Sequence, residues 1–279
     1  MTGTAAVPSK TAIALTIGGS DSSGGAGIQA DLKTFSAFGV YGASVITALT
    51  AQNTRGVQGI DIVSASFVAA QLNSVLSDLD VDAIKTGMLA NAEIVQTVAD
   101  VLRAASPRPL VVDPVMVATS GDILLAPQAV DALKLLLPLA TLVTPNLSEA
   151  ALLLGGKQAQ SEAEIVVQAE ALCAAGCRAV LIKGGHGAGR AAVDILVDGS
   201  GVERFVRPRV DTPHSHGTGC TLSAAIAALL ARGAVLTEAV DRAKAYVWEG
   251  LQHGRRLGIG HGRGPVDHLY AIRGARPPA

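Results

Sequence analysis

Between Asp211 and Leu230 the chain reads DTPHSHGTGCTLSAAIAALL, a set of turn-formers running into an apolar helix. Leu222, Ile226, Leu229 and Leu230 recur at helical spacing, so the helix is expected to begin at Gly217, Thr218 and Gly219. A helix start carries N–H groups without intrahelical partners and the positive end of the backbone dipole, and glycines let an anion approach closely. A phosphate can be held there. The same field favours a thiolate at Cys220, because thiol pKa values fall at helix N-termini. One turn then combines an anion hole with a base. A plain glycine turn opening a buried helix, with Cys220 as inert packing, accounts for the same letters.

Other polar groups stand at intervals along the chain. Asp113 closes the apolar run PLVVD, and Asn146 and Glu149 stand three apart at the opening of a short helix. These oxygen donors suit Mg²⁺, directly or through water. Lys183 ends RAVLIK and can reach a polyphosphate. With the Gly217 turn, they make up the parts that phosphoryl transfer requires. Gln52 offers a donor and an acceptor in one plane, the pattern that pairs with an aminopyrimidine edge. Plainer readings exist for each: a helix-dipole acid at Glu149, a turn aspartate at Asp113, a surface lysine at Lys183 and a surface turn around Gln52. The loop SDSSGGAGIQAD is dense in glycine, which points to a ligand lying against backbone, although neither GxxxxGK[ST] nor GxGxxG is present.

Such dispersed groups need a scaffold that gathers them on one edge. TAIALTIGG, Thr11 to Gly19, reads as a buried strand leading through the Ser/Gly loop into a helix carrying Ile28, Leu32 and Phe35. A second strand covers Ala43 to Leu49, and TAQNTRG follows as a polar turn. Ser66 is the expected cap of a helix reaching Leu79, with Phe67, Leu72, Val75, Leu76 and Leu79 on its apolar side. Further strands are DAIKTGM, PLVVD, TLVTPN and RAVLIK. Helices are expected over Ala92 to Ala104, Pro127 to Leu137, Glu162 to Ala175 and Thr237 to Arg255, with an antiparallel pair around Gly199. Strands alternating with helices of this length imply a mainly parallel sheet covered on both faces, and such sheets bind ligands at the carboxyl ends of their strands. Asp21, Gln52, Lys85, Asp113, Asn146, Glu149 and Lys183 all fall at such ends. No repeat or linker divides the chain, so one domain is expected over 11–270, between a loose tail at 1–10 and a short tail at 271–279.

Composition narrows the partners. Of 279 residues only 16% are charged, and the formal net charge is −1, so no long-range field points to nucleic acid or to an anionic membrane. Three cysteines do not make a disulfide framework, and the CxxxC spacing of Cys173 and Cys177 lacks histidines for a zinc site. His214 and His216 have no third partner for a catalytic transition metal. MTGTAAVPSK lacks a signal-peptide core and no apolar run reaches about 18 residues, so a cytoplasmic protein is expected.

The motifs LTIGGSDSSGGAGIQADLKTFSAFGVYGASVITALTAQNTRGV, KTGML, VVDPVM, TPNLSEA, IKGGH and HGTGCTLSAA, spread from Ile13 to Val266, resemble those of the ribokinase superfamily. Within it they are similar to the hydroxymethylpyrimidine/phosphomethylpyrimidine kinases of thiamine biosynthesis. The resemblance implies a single-domain, three-layer αβα fold with a mainly parallel sheet and a small flap, and a homodimer. It implies phosphoryl transfer from Mg·ATP to 4-amino-5-hydroxymethyl-2-methylpyrimidine, then to its monophosphate. Carried over by position, Gln52 reads the pyrimidine edge, with Gly19, Asp31, Met88 and Val115 around the ring. Asn146, Lys183, His216 and Lys244 serve ATP, Asp113 and Glu149 the metal. Gly217, Thr218 and Gly219 hold the transferring group, and Cys220 is the base. Sugar kinases of the superfamily carry Asp at the place of Cys220, which argues for the pyrimidine or pyridoxal branch. Thr119 stands where the family commonly has Lys, and His214 and Ser215 replace its usual residues. Pyridoxal kinase and a non-catalytic pyrimidine-binding regulator are the alternatives; a nicotinamide oxidoreductase is disfavoured by the missing GxGxxG.

Overall fold

The structure, a computed structural model, describes residues 10–117, 124–125, 129–184 and 189–273. Its centre is a nine-stranded sheet in the order β3-β2-β1-β4-β5-β6-β7-β8-β9. The strands are β1 (Ile13–Asp21), β2 (Tyr41–Asn53), β3 (Gly56–Ile62), β4 (Ala83–Thr86), β5 (Leu110–Val112), β6 (Leu142–Val143), β7 (Ala179–Lys183), β8 (Ala191–Asp198) and β9 (Gly201–Pro208). From β2 across to β7 the pairing is parallel. Only the margins, β3 on one side and β8 and β9 on the other, run antiparallel.

Parallel strands need crossovers, and the helices that make them cover both faces. On one face lie α1 (Gly27–Ala37), α7 (Thr218–Ala231) and α8 (Leu236–Gly254); on the other lie α2 (Ala65–Asp78), α3 (Ala92–Ala104), α4 (Val130–Leu133), α5 (Leu147–Leu154) and α6 (Glu162–Ala174). A short helix, α9 (Tyr270–Arg273), follows α8. Period-two alternation divides the strands between two cores. Ala179 and Leu181 of β7 pack with α7 and α8, while Val180 and Ile182 pack with the opposite layer.

Several boundaries differ from expectation for local reasons. The second strand extends to Asn53 and turns back as β3, so TAQNTRG is not a free turn. Ile60 and Ile62 of β3 stay exposed, which leaves no buried face for periodicity to reveal. The cap of α2 is Ser64, two residues before the expected Ser66, and its Oγ accepts from Phe67 N at 3.3 Å; Phe67, in the first turn, is 61% exposed rather than on the apolar side. Within the expected helix from Pro127 to Leu137 the structure describes one helical turn, α4, and a 3₁₀ turn at Leu137–Leu139; Pro127 and Thr119 lie outside the described residues.

Candidate active site

The carboxyl ends of the parallel strands open into a cleft of about 400 Å³. At its centre stands the start of α7. Gly217 caps it with φ +80°, a left-handed conformation that glycine adopts without strain. A Cβ at Gly217 would collide with the carbonyl of Gly25, so two loops touch backbone to backbone here. Thr218 turns inward: its N–H and its hydroxyl both donate to Ser215 O. The N–H groups of Gly219 and Cys220 have no protein partner among the described residues, and both residues line the cleft. Of the turn's N–H groups, those of Gly219 and Cys220 are open to an anion, whereas that of Thr218 is already engaged. Thr221 donates to Gly217 O at 2.8 Å and lies 2.9 Å from His268 Nε2, which braces the turn from behind.

The cation and the carboxylates meet beneath Gly219. Lys183 Nζ, at the end of β7, lies 2.8 Å from Asp113 Oδ1 and 3.9 Å from Glu149 Oε2. Asp113 also accepts from Ser223 at 3.0 Å and from Thr144 at 3.3 Å. Burial would raise its pKa, but Lys183 and Lys85 outweigh that and hold it below the carboxylate range. Glu149 closes a capping box with Asn146: Asn146 N donates to Glu149 Oε2 at 2.7 Å and Glu149 N to Asn146 Oδ1 at 2.9 Å. Burial pushes Glu149 up to about 7, against the pull of Lys183. The helix-cap role does not exclude a ligand role, since Asp113, Asn146 and Glu149 all line the cleft. Among the described residues no group of three His, Cys, Asp or Glu is clustered for a metal. Two hard carboxylates beside a lysine and open N–H groups fit Mg²⁺, an ion that keeps waters and takes phosphate oxygens for the rest of its sphere.

The thiolate expected at Cys220 is not what the free protein holds. Burial, with Asp31 and Asp113 adding to it and Lys85 opposing, pushes the thiol up to about 11. The helix start is outweighed by desolvation.

At the other end, Gln52, Gly19, Met88 and Val115 all line the cleft as expected. Asp31 does not. It is fully buried, its Oδ2 bonded to Lys85 Nζ at 2.7 Å and to Thr16 Oγ1 at 2.6 Å. Lys85 likewise leaves the rim; burial would lower its pKa, but the Asp31 carboxylate raises it, while burial raises the pKa of Asp31 itself against the pull of Lys85, so the two share a close contact under the floor of the site. His216, expected to serve ATP, lies next to Gln52, with Nε2 2.8 Å from Asp21 Oδ2 and 3.5 Å from Gln52 Nε2. The Ser/Gly loop departs from expectation for a related reason. Its N–H groups at Ser23, Gly25 and Ala26 all donate to the Asp21 carboxylate, at 2.8, 3.1 and 2.8 Å, so they are not offered to a ligand. Its glycines serve close packing: a Cβ on Gly25 would strike the His216 ring and one on Gly27 the carbonyl of Gly19.

A sequence model of the family described as phosphomethylpyrimidine kinase matches residues 21–267. The hydroxymethylpyrimidine/phosphomethylpyrimidine kinase of Rhizobium meliloti is 60% identical over 261 residues, 93% of this chain and 98% of that protein. The chain belongs to the phosphomethylpyrimidine kinase family. The Salmonella typhimurium protein of the same name is 53% identical, over 92% of this chain and 97% of its own length. Among solved structures, an ADP complex of Bacillus subtilis pyridoxal kinase superposes with a TM-score of 0.86 at 38% identity, covering 94% of this chain and 99% of that one. Phosphomethylpyrimidine kinase from Clostridium difficile 630 gives 0.76 at 44% identity, over 85% and 98% of the two chains. The chain is thus a kinase of the ribokinase-like class, with ATP as the family's phosphoryl donor.

For a kinase of this family the cleft must also take a nucleotide, and beyond Lys183 it continues into a part that the sequence reading did not foresee. Lys244 of α8, expected at the ATP site, lines it and is bonded to Asp194, a buried acid within β8. Asp194 also accepts from Gly184 N at 3.0 Å, fixing the start of the loop after β7. Val210, Val247, Leu251 and Trp248 add an apolar slot, with Trp248 Nε1 donating to Pro208 O at 2.9 Å. The chain's single Trp was the available signal, and nothing in its spacing connected it to the turn at Gly217. Among the described residues no helix is long and apolar enough to cross a membrane.

Proposed function

We propose that this chain transfers the γ-phosphoryl group of Mg·ATP to the hydroxymethyl oxygen of 4-amino-5-hydroxymethyl-2-methylpyrimidine, and a second phosphoryl group to the resulting monophosphate. One observation carries the reading: the open N–H pair of Gly219 and Cys220 lies between an amide that can read an aminopyrimidine edge, Gln52, and a cation held by two carboxylates, Lys183. Charge that develops on the transferring group falls where those N–H groups point, and oriented donors of this kind stabilise it without reorganisation. Positioning supplies the rest, since phosphoryl transfer asks for little covalent chemistry from the protein.

Asp113 and Glu149, with Asn146 beside them, would hold Mg²⁺, and the ion when bound neutralises phosphate charge and fixes the polyphosphate. Lys183 then turns from the carboxylates to the phosphate oxygens. The apolar slot around Val210, Trp248 and Leu251 takes the base of the nucleotide, and Lys244, held by Asp194, lies along the path between base and phosphates. Cys220 serves as the proton acceptor once its thiol is ionised. A homodimer and a cytoplasmic location accompany the reading as the family resemblance implies them.

A coupled assay for ADP release against the aminopyrimidine, its monophosphate and pyridoxal tests this. Turnover of the first two is the expected result. A second reading has one observation of its own in favour: pyridoxal kinases, from Bacillus subtilis and from Staphylococcus aureus, superpose with TM-scores of 0.86 and 0.87. Turnover of pyridoxal with neither pyrimidine would put that reading first.

A further inference from the structure

Gln52 is set between two neighbours in the cleft wall. The structure places its Oε1 3.0 Å from Thr50 Oγ1 and its Nε2 3.5 Å from His216 Nε2. Thr50 has one hydroxyl hydrogen, and Thr50 Oγ1 is also 2.9 Å from the carbonyl oxygen of Ser20, which only accepts. That hydrogen is engaged with Ser20, so the Gln52 atom facing Thr50 has to be a donor. The opposite side leads to the same result. The Asp21 carboxylate lies 2.8 Å from His216 Nε2 and accepts from every other partner it has, so Nε2 carries a hydrogen whatever Nδ1 carries. A second donor, the Gln52 NH₂, cannot face it. Exchanging the oxygen and nitrogen of an amide leaves its shape unchanged, and both neighbours require that exchange. Gln52 therefore directs Nε2 to Thr50 and Oε1 to His216.

We infer that Asp21 and His216 form a positioning pair that holds the amide of Gln52 in one orientation and thereby selects which heterocycle edge the cleft accepts. The inference rests on the pyrimidine kinase reading and deepens it. An acceptor on the His216 side and a donor on the Thr50 side match, in one order only, an exocyclic amine followed by an unprotonated ring nitrogen. His216 immediately precedes the turn at Gly217, so the amine that meets Oε1 is the one adjacent to the hydroxymethyl carbon. The 4-oxo counterpart presents a carbonyl followed by a ring N–H. It would set oxygen against oxygen and N–H against N–H. Neither His216 nor Asp21 touches reacting atoms in this scheme; both act through Gln52.

The test measures kcat and KM for 4-amino-5-hydroxymethyl-2-methylpyrimidine and for its 4-oxo counterpart. The wild-type chain should favour the amine by about 10²-fold or more in kcat/KM, because mismatched buried hydrogen-bonding groups are rejected strongly. In His216→Leu, where only the Thr50 side still orients the amide, the preference should fall by about threefold or more, chiefly through KM for the amine rather than kcat. His216→Gln, which restores an N–H near the place of Nε2, should keep most of the preference. His216→Ala substitutes for the Leu variant if that one does not fold. An unchanged preference in His216→Leu or His216→Ala overturns the pairing, and so does a His216→Gln variant that loses the preference as fully as they do. Failure of the wild-type chain to phosphorylate either pyrimidine is a separate outcome: it removes the kinase reading, and the pairing with it.

Discussion

Replacing Cys220 with Ala separates two roles for the sulfur. Burial pushes the thiol up to about 11, so at pH 7 roughly one molecule in 10⁴ carries a thiolate in the free protein. A positioned base accelerates proton transfer by about 10²–10⁴, which the small ionised fraction cancels near neutrality. The sign follows directly. The active form is deprotonated, so kcat/KM for the pyrimidine alcohol should climb about tenfold per pH unit between pH 7 and 9, as the ionised fraction grows toward roughly 10⁻². Cys220→Ala should flatten that climb, with a deficit that widens to as much as about 10²-fold at pH 9. The monophosphate step is different, because that acceptor is already anionic near neutral pH and needs no base. Its profile should stay level in both proteins. ADP release coupled to an optical signal, at saturating Mg·ATP and subsaturating pyrimidine, reads all four curves. Equal losses in the two steps would refute the base assignment and leave Cys220 as packing. A level wild-type profile for the alcohol would refute the pKa argument itself.

Three other outcomes follow from the same geometry. Lys85→Met leaves the Asp31 carboxylate buried without its cation and should cost about 3–5 kcal/mol in urea unfolding, whereas the double variant Asp31→Leu with Lys85→Met should recover most of it; a double variant no more stable than the single one would contradict the pairing. Gly217→Ala forces a side chain into a φ of +80° and against the Gly25 carbonyl, so a loss of at least about 2 kcal/mol together with about 10²-fold lower kcat is expected, measured by thermal unfolding and ADP release. Glu149 is held up to about 7 by burial, so its folded state favours the proton; the stability this gives is present in acid and lost as pH rises from the ordinary carboxylate range through 7. Glu149→Gln should erase that slope and add up to about 3 kcal/mol at pH 8 in Mg²⁺-free buffer, and an unchanged urea midpoint against pH would count against it.

What the sequence revealed and what it hid divide along a physical line. Period-two and period-3.6 patterns report which side of an element is buried, and that was enough for the layers, for Ala92–Ala104 as a helix, and for the capping box of Asn146 and Glu149, whose partners are three residues apart. Strand ends were legible too, which is why Gln52, Asp113 and Lys183 could be placed on one cleft from spacing alone. Partnership between distant segments has no such signature. Asp31 looks like a polar residue within a helix and Lys85 like one near a strand end, and only the fold reveals that they lie 2.7 Å apart under the site, removing Lys85 from the rim and Asp31 from the pocket lining. Glycine carries the deepest ambiguity, because absence of a Cβ serves equally to admit a ligand and to let two backbones touch. In the loop after β1 the second use wins: Asp21 collects the N–H groups, and Gly25 leaves room for His216. At Gly219 the first use wins, since its N–H has no protein partner among the described residues and faces the cleft. The deciding quantity is whether an acceptor within the protein already occupies the N–H, and a carboxylate one turn away, as Asp21 is, is the feature that tips a glycine loop from anion cradle to packing joint.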